Sequence, residues 1–385
     1  MSKLISVLDI GTSKISVFVG AIGVNDMFVV RAKSSISYSG YVNSEWVEKS
    51  ELTRAISLAI FDAEKQLGDK IRNLYIGVPS AFVKIAVDQV NASYSSPRII
   101  TNKELSSMYN LSSKYEASGE MFVIDYGPIH FTLDEEERLS DPCGKVAKNI
   151  EGVISVIMMR RDIYNTLYSI LELLGVKHFE FIASNWAAGM FLLPESIRDE
   201  CAILLDIGYL DTTFSLLKGD GILYQSSLSM GLASVDERLF TLLKIPFEYA
   251  VKARESVNLN LLADDIQAYN ISVDDIKKLV SAKRVNSIVT SVIDNIGEEV
   301  KYIMNNCTYD FPDYIPVHLT GGGLTSITGA KSQLEKVIGR NVDIVIPSVP
   351  KYANPAYSTV FGVMYAASRI RNRMSLKNII KRLLH

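Results

Sequence analysis

Cysteine is scarce in this chain of 385 residues: there are three, Cys143, Cys201 and Cys307, and no C-x-x-C pair. That argues against a disulfide framework or a thiolate metal site, and for a reducing compartment. The four histidines never fall at ligand spacing, so a zinc site does not fit. No apolar run reaches the roughly 18 residues that a membrane-spanning helix needs. Lys3 is followed at once by strand pattern, without the apolar stretch of a leader, so the chain reads as cytoplasmic. Low-complexity tracts are missing, and a net charge of −3 gives no basic field for nucleic acid. What is present is 48% apolar residues, enough for a normal core and for two to four domains or subdomains.

The most telling positive feature is a near-repeat. Val7-Leu8-Asp9-Ile10-Gly11-Thr12 returns as Leu204-Leu205-Asp206-Ile207-Gly208. Each copy ends an apolar β-type run with an Asp, turns at a Gly, and enters a second β-rich run (Lys14 to Val19; Thr212 to Leu217). Such a hairpin tip brings backbone N–H groups to an anion, because glycine lets the main chain come close. A lone copy is an ordinary turn. Two copies about 200 residues apart suggest two similar half-molecules facing one nucleotide. A third element, Val317-His318-Leu319-Thr320 followed by Gly321, Gly322 and Gly323, is a strand that ends in residues without side chains. A flat adenosine face suits such a surface.

Between these motifs the pattern alternates strands and helices. Residues 4 to 35 read as three strands, with Asn25-Asp26 the clearest turn. Helices are expected over Glu48–Leu67, Asn102–Tyr115, Asp162–Leu174, Trp186–Leu193, Val235–Leu243, Phe247–Val257 and Tyr357–Ile370. Val273 to Asn306 reads as one long charged helical region. Residues 80 to 160 differ in texture, rich in Ser, Tyr and acids, and read as an inserted small α+β module of short strands. The acidic run Asp134-Glu135-Glu136-Glu137 reads as a solvated turn.

The final stretch is distinct. From Arg369 to His385 there are six basic residues and no acidic one, so the rest of the chain carries a net −9. Leu376, Ile379, Ile380, Leu383 and Leu384 fall on one helical stripe, flanked by Lys377, Lys381 and Arg382. A basic amphipathic helix suits an anionic membrane surface, and a surface helix packed on the body is the plainer alternative.

Taken together, these residues resemble the FtsA family, actin-like bacterial division proteins. Leu8-Asp9-Ile10-Gly11-Thr12-Ser13-Lys14 is similar to the family's first phosphate loop. Asp141-Pro142-Cys143-Gly144 is similar to the segment that closes its inserted subdomain. Thr320-Gly321-Gly322-Gly323 is similar to its adenosine motif, and Asn354-Pro355-Ala356-Tyr357-Ser358-Thr359-Val360-Phe361-Gly362 to the start of its last helix. The resemblance covers essentially the whole chain. It implies an α/β, actin-like two-domain fold of the actin/Hsp70/sugar kinase ATPase type, with an inserted small α+β subdomain. The implied divisions are 1–80 with 161–196, the insert 81–160, 197–257 with 312–367, a small subdomain 258–311, and the tail 368–385.

The resemblance also implies ATP and Mg²⁺ as cofactors. Asp9 and Asp206 would hold the metal through water. Gly11, Thr12, Ser13 and Lys14 would meet the phosphates from one side, Gly208 and Thr212 from the other. Gly321, Gly322, Gly323 and Arg254 would lie along the adenosine. No catalytic residue is assigned, so hydrolysis is expected to be weak or absent. The implied partners are the FtsZ C-terminal peptide, docking around 273 to 306 near Lys283 and Arg284, the anionic inner face of the cell membrane through 369–385, and further copies of the chain in a filament. A PilM-type pilus scaffold, a rod-shape filament protein and a phosphotransferase of the same fold are the alternatives.

The chain departs from the family pattern in three places around the cleft, and in a tail that follows the last domain helix almost directly where many relatives have a long linker. The second loop, usually Asp-x-Gly-Gly-Gly-Thr-Thr, reads Asp206-Ile207-Gly208-Tyr209-Leu210-Asp211-Thr212. Ala183-Ser184-Asn185 stands where the family has Leu-Glu-Pro. Val251 stands where a Glu precedes the cation kept by Arg254.

Overall fold

The computed structural model describes residues 4–23, 27–110, 115, 119–261 and 267–383, with 110, 137, 138 and 371–383 described by backbone alone. The expected turn at Asn25-Asp26 lies outside them. Three strands open the chain: β1 (Ile5–Ile10), β2 (Lys14–Ile22) and β3 (Phe28–Ser37). A small hairpin, β4 (Tyr41–Val42) and β5 (Glu45–Trp46), leads to α1 (Lys49–Leu67) and β6 (Asn73–Val78). Helix α1 stops at Gly68, whose φ of 73° is a left-handed cap and whose N–H reaches Glu64 O at 2.8 Å.

The inserted segment forms its own sheet, ordered β7-β10-β8-β9. It comprises β7 (Val83–Ile99), α2 (Asn102–Asn110), β8 (Met121–Leu133), β9 (Glu137–Leu139) and β10 (Val146–Arg160). The strands are long, 17, 13 and 15 residues for β7, β8 and β10, where short ones were expected. Their antiparallel pairing runs nearly end to end, so each strand supports the others' length. Phe131, Ile150, Ile154, Val156 and Met158 fill the core beneath. Strand β10 feeds α3 (Arg161–Leu173) and β11 (His178–Ala183), which completes the first sheet in the order β11-β6-β1-β2-β3.

After α4 (Ser184–Leu192) and α5 (Glu195–Arg198) the plan repeats. Strands β12 (Ala202–Ile207), β13 (Thr212–Lys218) and β14 (Gly221–Leu228) form an antiparallel meander like β1 to β3. Next come α6 (Ala233–Leu243), α7 (Phe247–Glu255), β15 (Ala268–Val273), β16 (Ile276–Ser281) and α8 (Ala282–Asn305). Strand β17 (Val317–Thr320) pairs parallel to β12 as β6 does to β1. Helix α9 (Ala330–Ile338), β18 (Val342–Ile344) and α10 (Ser358–Leu383) close the chain. The second sheet runs β14-β13-β12-β17-β18, the same order and sense as the first.

One expected helix is partly strand. Residues 268–281 form the β15–β16 hairpin, and only from Ala282 does the helix run. Asp274 and Asp275 adopt φ of 47° and 64°, a two-residue turn whose twist matches paired strands. Ser281 then caps α8 by accepting from Arg284 N–H.

Both sheets are buried on two faces, which is why their central strands read as apolar runs. On the first, Leu8, Ile10, Val17 and Val19 meet Leu52, Ile56 and Ala59 of α1. The opposite face of the same strands, Ile5, Val7 and Phe18, meets Phe361, Met364 and Ala367 of α10. On the second, Ile203, Leu205 and Phe214 pack against α6 to α9 while Leu204 and Leu217 meet α4. Helices α4 and α10 cross where Gly362 lies on the backbone of Ala187 and Ala188; a Cβ there would sit 2.6 Å from the Ala187 carbonyl carbon. The lobes are thus joined by two helices in close backbone contact.

Candidate functional site

Strand alternation decides what β1 offers at its end. Val7 points to α10, and so does Asp9 two residues on. Thr359, in the first turn of α10, donates to Asp9 Oδ2 at 3.0 Å. The turn after Asp9 closes by Gly11 N–H to Lys14 O at 3.0 Å, and the second hairpin closes identically, Gly208 N–H to Asp211 O at 2.9 Å. Asp9 lies opposite Ser16 in the first hairpin, and Asp206 opposite Thr213 in the second.

The two hairpin tips face one cavity of about 270 Å³ between the lobes. Asp9, Gly11, Thr12, Ser13 and Lys14 line it from the first lobe, and Asp206, Gly208, Gly321 and Gly322 from the second. Burial raises the carboxyl of Asp9 to about 6. Burial, and then the charge of Asp9, raise that of Asp206 to about 7. Two carboxylates held this way favour a shared cation. Among the described residues no three His, Cys, Asp or Glu side chains gather closely enough to hold a metal. A cation here therefore needs ligands from water or from a bound anion, the usual manner of Mg²⁺. The Ser184 hydroxyl, also in the wall, is buried without a hydrogen-bond partner.

Three expected residues stand outside the lining. Thr212 is buried and donates to Met230 O at 2.7 Å; alternation along β13 puts Thr213 on the cavity instead. Gly323 N–H donates to Ile207 O at 2.8 Å, so this glycine serves the close approach of one loop to the end of β12. Gly321 shares that task, since its φ is +94° and a Cβ would collide with Asp206 Oδ1. Arg254 turns away to a buried ion pair, Nε to Asp236 Oδ1 at 2.6 Å, and Tyr209 OH donates to the other oxygen at 3.4 Å.

Other residues at the site were not singled out by sequence: Thr359, Tyr41 and Asp211. Tyr41, from the β4 hairpin of the first lobe, donates its O–H to Asp211 Oδ2 in the second. Leu210 N–H donates to Thr12 Oγ1 at 3.1 Å, so the hairpin tips touch directly. Asn185 lines the wall and donates to Ser215 Oγ at 3.2 Å. A comparison of Lys14 with Asp211 at the same offset from their glycines was the available signal for Asp211.

Two sheets of identical order, each presenting an Asp-x-Gly hairpin to a common cleft, define an actin-like fold. Solved structures agree. The PilM–PilN type IV pilus biogenesis complex superposes with a TM-score of 0.65 at 15% identity, covering 95% of this chain and 98% of that one. MreB5 of Spiroplasma citri bound to AMPPNP does so with 0.58 at 9% identity, covering 98% and 99%. No family model matches the chain. Among individual proteins, the cell division protein FtsA of Bacillus subtilis is 20% identical over 367 residues, 94% of this chain and 83% of its own length. FtsA proteins of other bacteria align over nearly the same span. Along nearly its whole length the chain is thus similar to FtsA cell division proteins, at about 20% identity.

Proposed function

We propose that this chain is an ATP-binding, actin-like cell division protein that self-assembles and tethers FtsZ filaments to the cytoplasmic face of the membrane. The observation that carries the reading is the pair of matched hairpins on one cavity, in a chain that aligns with FtsA proteins along nearly its full length.

Mg²⁺, when bound, would neutralise phosphate charge between Asp9 and Asp206. Thr12, Ser13 and Lys14 would receive phosphate oxygens from the first lobe, and the Gly208 turn would do so from the second. Gly321 and Gly322 would lie along the adenosine. Arg254, Thr212 and Gly323 act behind this wall by fixing the loops that form it. The Leu210–Thr12 contact implies that the lobes part to admit nucleotide and that nucleotide then sets their angle. The ligand thus works as a glue that selects the assembling conformation.

The β15–β16 hairpin supports the docking of the FtsZ C-terminal peptide. Ile276 and Leu279 are exposed on either side of Lys277 and Lys278, beside Lys283 and Arg284, which suits an acidic peptide with apolar anchors. The membrane contact rests on the basic, striped sequence of 369–385. The side chains beyond Ile370 lie outside the described residues, and no helix among those residues is long and apolar enough to cross a membrane.

Co-sedimentation with anionic vesicles and Mg-ATP tests the reading. The full chain should pellet, a version ending at Ala367 should stay in solution, and Asp9→Ala should pellet weakly, because unassembled copies lose the gain of many anchors on one scaffold. Equal pelleting of all three would refute it.

A further inference from the structure

The two glycine turns match in geometry but not in charge. Lys14 closes the first turn through its carbonyl, and Asp211 closes the second the same way. The cavity wall therefore carries three carboxylates, Asp9, Asp206 and Asp211, against the single ammonium of Lys14. Asp211 is held in place. One oxygen accepts the O–H of Tyr41, a tyrosine 4% exposed that reaches over from the other lobe. The other, Oδ1, is buried with no hydrogen-bond partner in the protein. Ser184, 5% exposed, brings a second buried oxygen without a partner to the same wall. A buried carboxylate oxygen left unsatisfied is costly unless a ligand completes it. A free polyphosphate cannot: it carries no proton to donate, and it adds like charge to an already anionic wall. A polyphosphate that arrives with a hydrated divalent cation brings both the counter-charge and water O–H donors.

We propose that Asp211 is a specificity residue which restricts this cleft to nucleotide complexed with a divalent cation, by repelling the bare polyphosphate and accepting a hydrogen bond from the hydrated cation complex. Tyr41 is its positioning residue. The inference rests on the nucleotide reading above and adds to it a residue that lies outside the shared Asp-x-Gly pattern.

Titration of the full chain with a fluorescent ATP analogue, with Mg²⁺ and with EDTA, reads the affinity ratio between the two conditions. Asp211→Asn keeps the shape and removes the charge, so it should tighten metal-free binding about tenfold and shrink the ratio by the same factor, ~1.4 kcal/mol. Asp211→Glu keeps the charge and should preserve a wide ratio. Asp211→Thr is a second neutral variant should the amide fail to fold. Equal ratios in wild type and a folded neutral variant would overturn the proposal, as would a wild type indifferent to Mg²⁺. A wild type that binds no nucleotide under either condition would instead overturn the nucleotide reading beneath it.

Discussion

Arg254 distinguishes two accounts of the same residue. Its sequence context places it on the adenosine; its geometry places it on Asp236. The Asp236 side chain is 0% exposed and Arg254 11%, with 2.6 Å between Nε and Oδ1. Burial pushes the Asp236 carboxyl up, and Arg254 pulls it back down. Arg254→Ala would strand that carboxylate, leaving only the 3.4 Å contact from Tyr209. Breaking one side of a buried pair typically costs about 3–5 kcal/mol. With a urea slope of roughly 3 kcal/mol/M, the midpoint should fall by about 1 M or more. The double variant Arg254→Met with Asp236→Leu should recover most of the loss, because neither charge is then left alone. Urea unfolding followed by circular dichroism measures the stability, and nucleotide titration run in parallel measures the affinity. A midpoint unchanged in Arg254→Ala together with a large loss of nucleotide affinity would refute the ion-pair account and restore the ligand contact.

Gly362→Ala should destabilise by about 1–3 kcal/mol through overpacking, although alanine is the better helix former by about 1 kcal/mol. The reason is that the new methyl meets backbone, 2.5 Å from Ala188 N, and backbone cannot swing aside as a side chain can; a thermal melt at or above wild type would contradict this. A second expectation concerns pH. An unfolded Asp releases its proton near 4, whereas the folded chain retains it on Asp9 to about 6 and on Asp206 to about 7. The native state therefore binds more protons across that window, and these two groups withdraw stability as pH rises from about 4 to about 7, with no further loss above. Melting curves in EDTA should show the fall, and Asp206→Asn should flatten its upper part; a wild-type-minus-variant difference that grows with pH would refute the assignment.

The turns were readable in the chain because they are local. Gly11 and Gly208 sit two residues after an Asp at the end of an apolar run, and backbone sterics alone make such a sequence a tight hairpin. The alternating sheet and helix pattern was readable for the same reason, as periodicity reports burial along one element. The β15–β16 hairpin escaped because Ile276 to Ser281 is short and charged, and its turn rests on two aspartates with positive φ rather than on glycine.

Which side chain faces the cleft depended on long-range packing. Thr213 rather than Thr212 lines it because register on β12 fixes the parity of β13. Arg254 finds Asp236 because α6 and α7 fold back on each other, and Tyr41 finds Asp211 because the lobes close. The sequence by itself determined the repeated strand–Asp–Gly hairpins and the two-lobed plan, since both follow from local backbone chemistry and hydrophobic period. Only the tertiary structure decided the charge of the cleft, because a third carboxylate enters it through a contact between residues 170 positions apart.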